Sequence, residues 1–260
     1  MVFNKNITGF NNEKQFCNAL NNKKVFMLNP MFRGVVFDLF DNVCEADSIK
    51  CRLSYGRKKY DILISIKERT KYISIKKGVK NSVHVEGISD FVSFLIDNNV
   101  DKKNIINYLK YHYADGTING TGVDRKSVDE YKKSHQVEID EINTVINDEV
   151  ILREAIDRFV VKGNNSNKSI DAIIFGVVND FIWIKKEDII KIILSKKNIY
   201  SSAIHFGPLT VQPLDRCLNR NPKYEKCRFS VQVKWYNLVD DIIENMNSNV
   251  MQYSGYKEKI

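Results

Sequence analysis

Residues 61–76 read DILISIKERTKYISIK. Two short runs rich in isoleucine, DILISI and YISIK, flank the polar segment KERTK. Branched apolar residues at every second position suit a pleated strand with one buried face, and a polar break between two such runs suits a turn. The spacing therefore predicts a hairpin. Asp61 opens its first strand and Ser74-Ile75-Lys76 closes its second. Residues two apart on a strand share a face, so Ser74 and Lys76 point the same way, and the hairpin brings Asp61 and Lys76 to neighbouring strand ends. Upstream, Ile49–Tyr55 alternates in the same manner and a GRKK turn follows it. Together these make a three-stranded meander that ends at Lys77-Gly78.

Helical patterns lie on both sides. Phe32, Val35, Val36, Leu39, Phe40 and Val43 recur at helical spacing and predict a helix over about 31–46, with Asp38, Asp41 and Glu45 on its polar face. A short helix is expected over 11–22. After the meander, Val85, Ile88, Phe91, Val92 and Leu95 predict a helix from Val83 or Ser89 to Asn98, and Asn104–Tyr113 predicts another. Residues 114–122 read as a loop, 123–161 as helical, and 162–168 as a linker. Strands follow at Ala172–Val178, Phe181–Ile184, Ile204–Val211 and Phe229–Trp235, with helices over 187–196 and 236–246. The order implies an α/β (α+β) fold with a mixed central sheet flanked by helices.

Composition narrows the classes. The chain has 260 residues, 43% hydrophobic and 28% charged, ample for a buried core. No apolar run approaches the roughly 20 residues of a membrane span, no secretory leader is expected at the start, and five cysteines without a CxxC pair argue against a disulfide scaffold or structural zinc. A reduced, cytoplasmic protein is the expectation. No GxGxxG or GxxxxGK[ST] occurs, and the four histidines lack zinc-enzyme spacing. The net charge of +8 is concentrated: residues 50–80 hold eleven basic residues against Asp61 and Glu68, and residues 216–234 hold six against Glu225. Such zones suit a polyanion, nucleic acid first. A solvated lysine-rich surface is the plain alternative.

Two acids and a lysine at a strand rim suit phosphodiester chemistry. Carboxylates hold Mg²⁺, a hard ion that keeps several waters; the ion polarises a phosphate and acidifies a bound water. A lysine holds the attacking water or the developing charge. Taken singly, Asp61 could cap a turn, Lys76 could blunt a strand edge, and Glu86 could be a first-turn helix acid. The joint pattern of helix, Asp on one strand, a residue-x-Lys on the next, and a following helix resembles the PD-(D/E)XK nuclease superfamily over residues 31–98. Tyr60 replaces the usual Pro, and Ser74 the usual acid. SIKKGVKNSVHVE resembles the Ser-x-Lys variant of type II restriction endonucleases, in which the missing acid comes from a later Glu, here Glu86.

That resemblance implies a restriction-endonuclease-like core and a Mg²⁺-dependent deoxyribonuclease with Asp61, Ser74, Lys76 and Glu86 in its site. Asp61, Glu86, the main-chain carbonyl of Ile75 and Glu45 on the preceding helix would be the metal ligands, with Asp41 behind Glu45. It also implies double-stranded DNA as substrate, a homodimer, and room for a cognate DNA methyltransferase encoded nearby. The expected division is a nuclease core over 1–115, a helical insertion over 116–165, and a recognition segment over 166–260. Lys77, Lys80 and Asn81 flank the site. In the second basic zone Gln212, Arg216, Arg220, Asn221, Arg228, Gln232 and Lys234 suit base edges and phosphates. Gln232-Val233-Lys234 is itself a QxK string, a second candidate centre without a well-placed Asp. The alternatives are a resolvase or repair nuclease, a catalytically inactive nucleic-acid-binding module on a nuclease-like fold, and an interaction protein.

Overall fold

The computed structural model describes residues 9–56, 58–78, 81–164, 167–215 and 222–246, with the side chains of 128 and 222–224 left out. The described chain forms two compact units. Of the described residues, one comprises those up to 81, 160–192 and those from 237, the other 82–159 and 193–236. The chain thus passes between them repeatedly, where the sequence suggested three consecutive segments. Non-local strand pairing, which no local pattern encodes, produces this interleaving.

The first unit is built on a six-stranded mixed sheet. Its strands are β1 (Lys23–Lys24), β2 (Ser48–Leu53), β3 (Ile62–Ile66), β4 (Arg69–Lys76), β6 (Ala172–Val177) and β7 (Asp180–Lys185), in the order β1-β2-β3-β4-β6-β7. The predicted meander is present as antiparallel β2-β3-β4. β4 pairs parallel with β6, and β6 antiparallel with β7. Two helices cover the sheet: α1 (Gly9–Leu20) packs on β2 and β3, and α2 (Pro30–Leu39) packs on β7. The core gathers Phe16 and Leu20 of α1, Phe32, Val35 and Val36 of α2, and Ile49, Ile62, Ile64, Ile66 and Ile73 of the strands. Fully burying such side chains contributes about 1.5–3 kcal/mol each.

α2 starts where Asn29 accepts the Phe32 N–H and Pro30 fills the first turn. It ends seven residues before the predicted boundary. Phe40 is extended and Asn42 takes a left-handed conformation (φ 54°), which breaks the helical path. Gly34 lies under the Trp183 ring, where a Cβ would come within 2.9 Å of it. That close approach explains a glycine in mid-helix.

The second unit has a four-stranded sheet of β5 (Asn81–Gly87), β8 (His205–Phe206), β9 (Leu209–Pro213) and β10 (Ser230–Trp235), in the order β5-β10-β9-β8. Its helices are α3 (Ile88–Asp97), α4 (Lys102–Tyr113), α5 (Val128–Ser134), α6 (Gln136–Ile146) and α7 (Glu149–Ile156). The helix expected from Val83 or Ser89 begins at Ile88, and Asn81, Ser82 and His84 precede it. They lie on β5, and Gly87 caps α3. Val83, Val85 and Ile88 satisfy both a strand and a helix pattern locally, and pairing with β10 selects the strand. The strand expected over Ile204–Val211 splits into β8 and β9 at Gly207, whose φ of 52° permits the tight reversal.

Candidate active site

The site is built where β3 begins and β4 ends. The Asp61 N–H donates to the Ile73 carbonyl at 2.8 Å just before the Ile62–Ile73 pair, which brings the Asp61 side chain beside Ser74. Ile62, Ile73 and Ile75 turn into the core. Alternation therefore puts Asp61, Ser74 and Lys76 together on the other face. Asp61 Oδ2 accepts the Ile75 N–H at 2.5 Å and the Ser74 hydroxyl at 3.1 Å. One carboxylate oxygen is thus spent holding the strand end. Carbonyl and N–H of a strand residue point the same way, so the Ile75 carbonyl also faces the β3 side, beyond that strand's first residue. Tyr60, in the place of the usual Pro, is buried and packs on Tyr72, with Lys58 over its ring.

A second acid arrives from α1. Asn12 is 1% exposed and donates through Nδ2 to the Gly176 carbonyl at 3.0 Å. Gly176 is the residue after Phe175, which pairs with Lys76, so this bond pins the start of α1 over the same rim. Phe16, Cys17 and Leu20 bury the rest of α1. Glu13, next to Asn12, then lies within electrostatic reach of both Asp61 and Lys76. Partial burial, and next the negative charge of Asp61, push its carboxyl above the ordinary range; the Lys76 ammonium opposes them. Nothing in the local sequence marks Glu13. The only signal was an acid on a predicted helix that precedes the meander.

Glu45, chosen from sequence, does not occupy this role. Glu45 is not on a helix: it follows the Asn42 turn and forms an ion pair with Arg33. Asp41 is in the same turn, 3.9 Å from Arg69, and Asp38 holds Trp183 and Lys185. Glu86 lies on β5 in the second unit. It is 8% exposed, with its carboxylate 2.8 Å from Arg158 and 3.1 Å from His84.

The remaining predicted contacts sort by environment. Lys80, Arg216, Arg220 and Asn221 lie outside the described residues. The Lys77 ammonium is enclosed, without a hydrogen-bond partner among the described residues. Asn81 is buried. Arg228 is not free for a ligand: it binds the Asp115 carboxylate and the Gly122 carbonyl. Burial works against the Asp115 charge, but hydrogen bonds from Thr117 and the Arg228 guanidinium hold its carboxyl below the usual range. Gln232 is buried and donates to Ser82, and buried Lys234 lies over Tyr236, so the QxK string is part of a sheet interior. Gln212 remains partly open, 3.4 Å from the Tyr236 hydroxyl.

Within the basic meander, Lys67 pairs with Asp47, Arg69 with the Asp41 backbone, and Lys71 with Asp171. Lys50 and Arg52 are exposed on β2. They pair in register with Ser65 and Leu63, which puts them on the same face as Asp61, Ser74 and Lys76.

The donor set fits a hard divalent cation. Two carboxylates and a main-chain carbonyl are all oxygen, and Glu13, its proton affinity raised first by burial and then by the charge of Asp61, would gain from a cation beside it. Among the described residues no cluster of three or more His, Cys, Asp and Glu side chains gathers. Mg²⁺ asks for one or two carboxylates, with water and phosphate oxygens completing its shell.

No family model matches the chain, and no curated protein matches it. A crystal structure of the restriction endonuclease MspI in complex with its cognate DNA is similar, with a TM-score of 0.48 and 13% sequence identity, over 72% of this chain and 70% of that one. Among the described residues no helix is long and apolar enough to cross a membrane.

Proposed function

We propose that this chain is a Mg²⁺-dependent endonuclease that hydrolyses phosphodiester bonds of double-stranded DNA, in the manner of a type II restriction endonuclease. The observation that carries the reading is the convergence of Asp61, Glu13 and Lys76 on one sheet rim. Asp61, through its second oxygen, and Glu13 would hold the ion, with the Ile75 carbonyl beside them. When bound, Mg²⁺ supplies Lewis-acid polarisation of the scissile phosphate and a more acidic water. Lys76 holds the attacking water and stabilises charge on the phosphate oxygens. Ser74 buttresses Asp61 and takes no part in attack. Lys50 and Arg52 bind backbone phosphates on the same face. Glu86, engaged by Arg158 and His84, serves the fold. Action as a homodimer alongside a cognate methyltransferase completes this reading.

The test is incubation of supercoiled plasmid with the protein in Mg²⁺ and in EDTA. Discrete metal-dependent fragments are expected. A metal-independent gel shift without cutting would favour the binding module, the reading that Ser74 in place of an acid supports. Cutting confined to branched DNA would favour a resolvase.

A further inference from the structure

The second unit holds an open cavity of about 360 Å³, with polar and apolar lining in similar measure, that the proposed chemistry does not use. His205 lines it, 4% exposed. Its Nδ1 lies 2.8 Å from the Gly207 carbonyl, which can only accept, so Nδ1 carries the proton. In the neutral ring Nε2 is then a bare lone pair, and no group among the described residues meets it. Burial pushes the imidazole toward the neutral form.

The wall behind His205 is rigid. Asn143 donates to the Ala203 carbonyl and accepts the His205 N–H, while Asn147 donates to the His205 carbonyl and accepts the Gly207 N–H. The amides of these two asparagines are therefore spent on the wall. Tyr200, 82% exposed, and Asp140 line the cavity as well. The lining thus brings together a histidine with an acceptor nitrogen, a carboxylate and an exposed aromatic ring. Cavities of this size commonly hold small molecules. A planar ring that donates N–H from its edge answers all three features.

We infer that this cavity receives a single unpaired nucleobase, its amino or ring N–H edge donating to His205 Nε2 and its face stacked on Tyr200. The source of that base, an extruded or single-stranded nucleotide, rests on the nuclease reading; the pocket chemistry does not.

The probe is 2-aminopurine deoxyriboside, which carries an amino donor and whose fluorescence is quenched by stacking. Titration of the full chain without metal should give saturable quenching. Tyr200→Ala, a surface change, should weaken binding about tenfold. His205→Asn keeps an N–H toward the Gly207 carbonyl while removing the Nε2 acceptor, and should weaken it comparably. Absence of saturable quenching up to millimolar probe, or quenching that both variants leave unchanged, would overturn the inference. Asp61→Asn should bind the probe as the parent does. A protein that binds the probe and cuts no DNA keeps this inference and loses the nuclease reading; the converse outcome separates them the other way.

Discussion

Asp61 has two oxygens with different duties, and two substitutions separate them. Oδ2 accepts the Ile75 N–H at 2.5 Å and the Ser74 hydroxyl at 3.1 Å, while the other oxygen remains for a cation. Asp61→Asn retains one carbonyl oxygen that can turn to the Ile75 N–H, so the strand end stays closed. The negative charge is lost, and with it the electrostatic pressure on Glu13. Stability should therefore stay within about 0.5 kcal/mol of the parent. Asp61→Ala removes the acceptor altogether. The Ile75 N–H and the Ser74 hydroxyl lose their partner, and an unsatisfied buried donor costs about 1–3 kcal/mol. Urea unfolding should show this as a lower midpoint at unchanged slope. Both variants should lose Mg²⁺-dependent plasmid cleavage by at least ~100-fold, since a preorganised charge is worth about 2.7–4 kcal/mol at a reacting centre. Equal stability of the alanine and asparagine variants would refute the assignment of Oδ2. Cleavage at the parental rate by Asp61→Asn would refute the metal role.

Other outcomes follow from the same geometry. Glu13→Gln should abolish cleavage, whereas Glu86→Gln should lower the urea midpoint and leave Mg²⁺-dependent cutting in place; the reverse pattern would restore the acid chosen from sequence. Because the Glu13 pKa is raised in the folded state, its contribution to metal-free stability is present at acid pH and lost as pH rises through the folded value. A pH series of thermal melts should show that slope flatten in Glu13→Gln, and Mg²⁺ should raise the melting temperature of the parent more than that of the variant. Replacing both Lys50 and Arg52 by alanine should reduce the slope of log K against log salt by about 1.8 in DNA-binding titrations, for two lost phosphate contacts. Gly34→Ala should destabilise by about 1–3 kcal/mol, because its methyl would press on the Trp183 ring within α2 and β7 packing.

What was legible in the sequence was whatever short-range periodicity encodes. The meander is correct to within a few residues at each end, because isoleucine at every second position allows few other burials. That same alternation put Ser74 and Lys76 on one face, with Asp61 at the neighbouring strand end. The errors lie where geometry depends on a single backbone angle or on distant pairing. The left-handed turn at Asn42 cut α2 short and removed Glu45 from a helix face. Pairing of β5 with β10 turned the Glu86 segment into a strand, an outcome set by residues nearly 150 positions later. Glu13 was invisible for a different reason: its role depends on Asn12 reaching the Gly176 carbonyl, 164 residues away.

That last contact argues for how the site is held together. Gly176 has φ of 132°, and a Cβ there would fall 2.3 Å from the Asp180 carbonyl oxygen. Glycine at this position keeps the β6–β7 turn closed and leaves its own carbonyl presented to Asn12. Gly176→Ala should therefore act in two ways, by strain at the turn and by moving the first turn of α1 with Glu13 on it. Asn12→Ala removes only the anchor and leaves the turn intact. If α1 is the arm that delivers the second acid, Asn12→Ala should raise the Mg²⁺ concentration needed for half-maximal cleavage more than it lowers the urea midpoint would suggest. Supplying excess Mg²⁺ should then recover much of the rate. A variant whose cleavage falls only in step with its folded fraction, and which excess Mg²⁺ does not rescue, would mean that Glu13 sits at the rim without serving it.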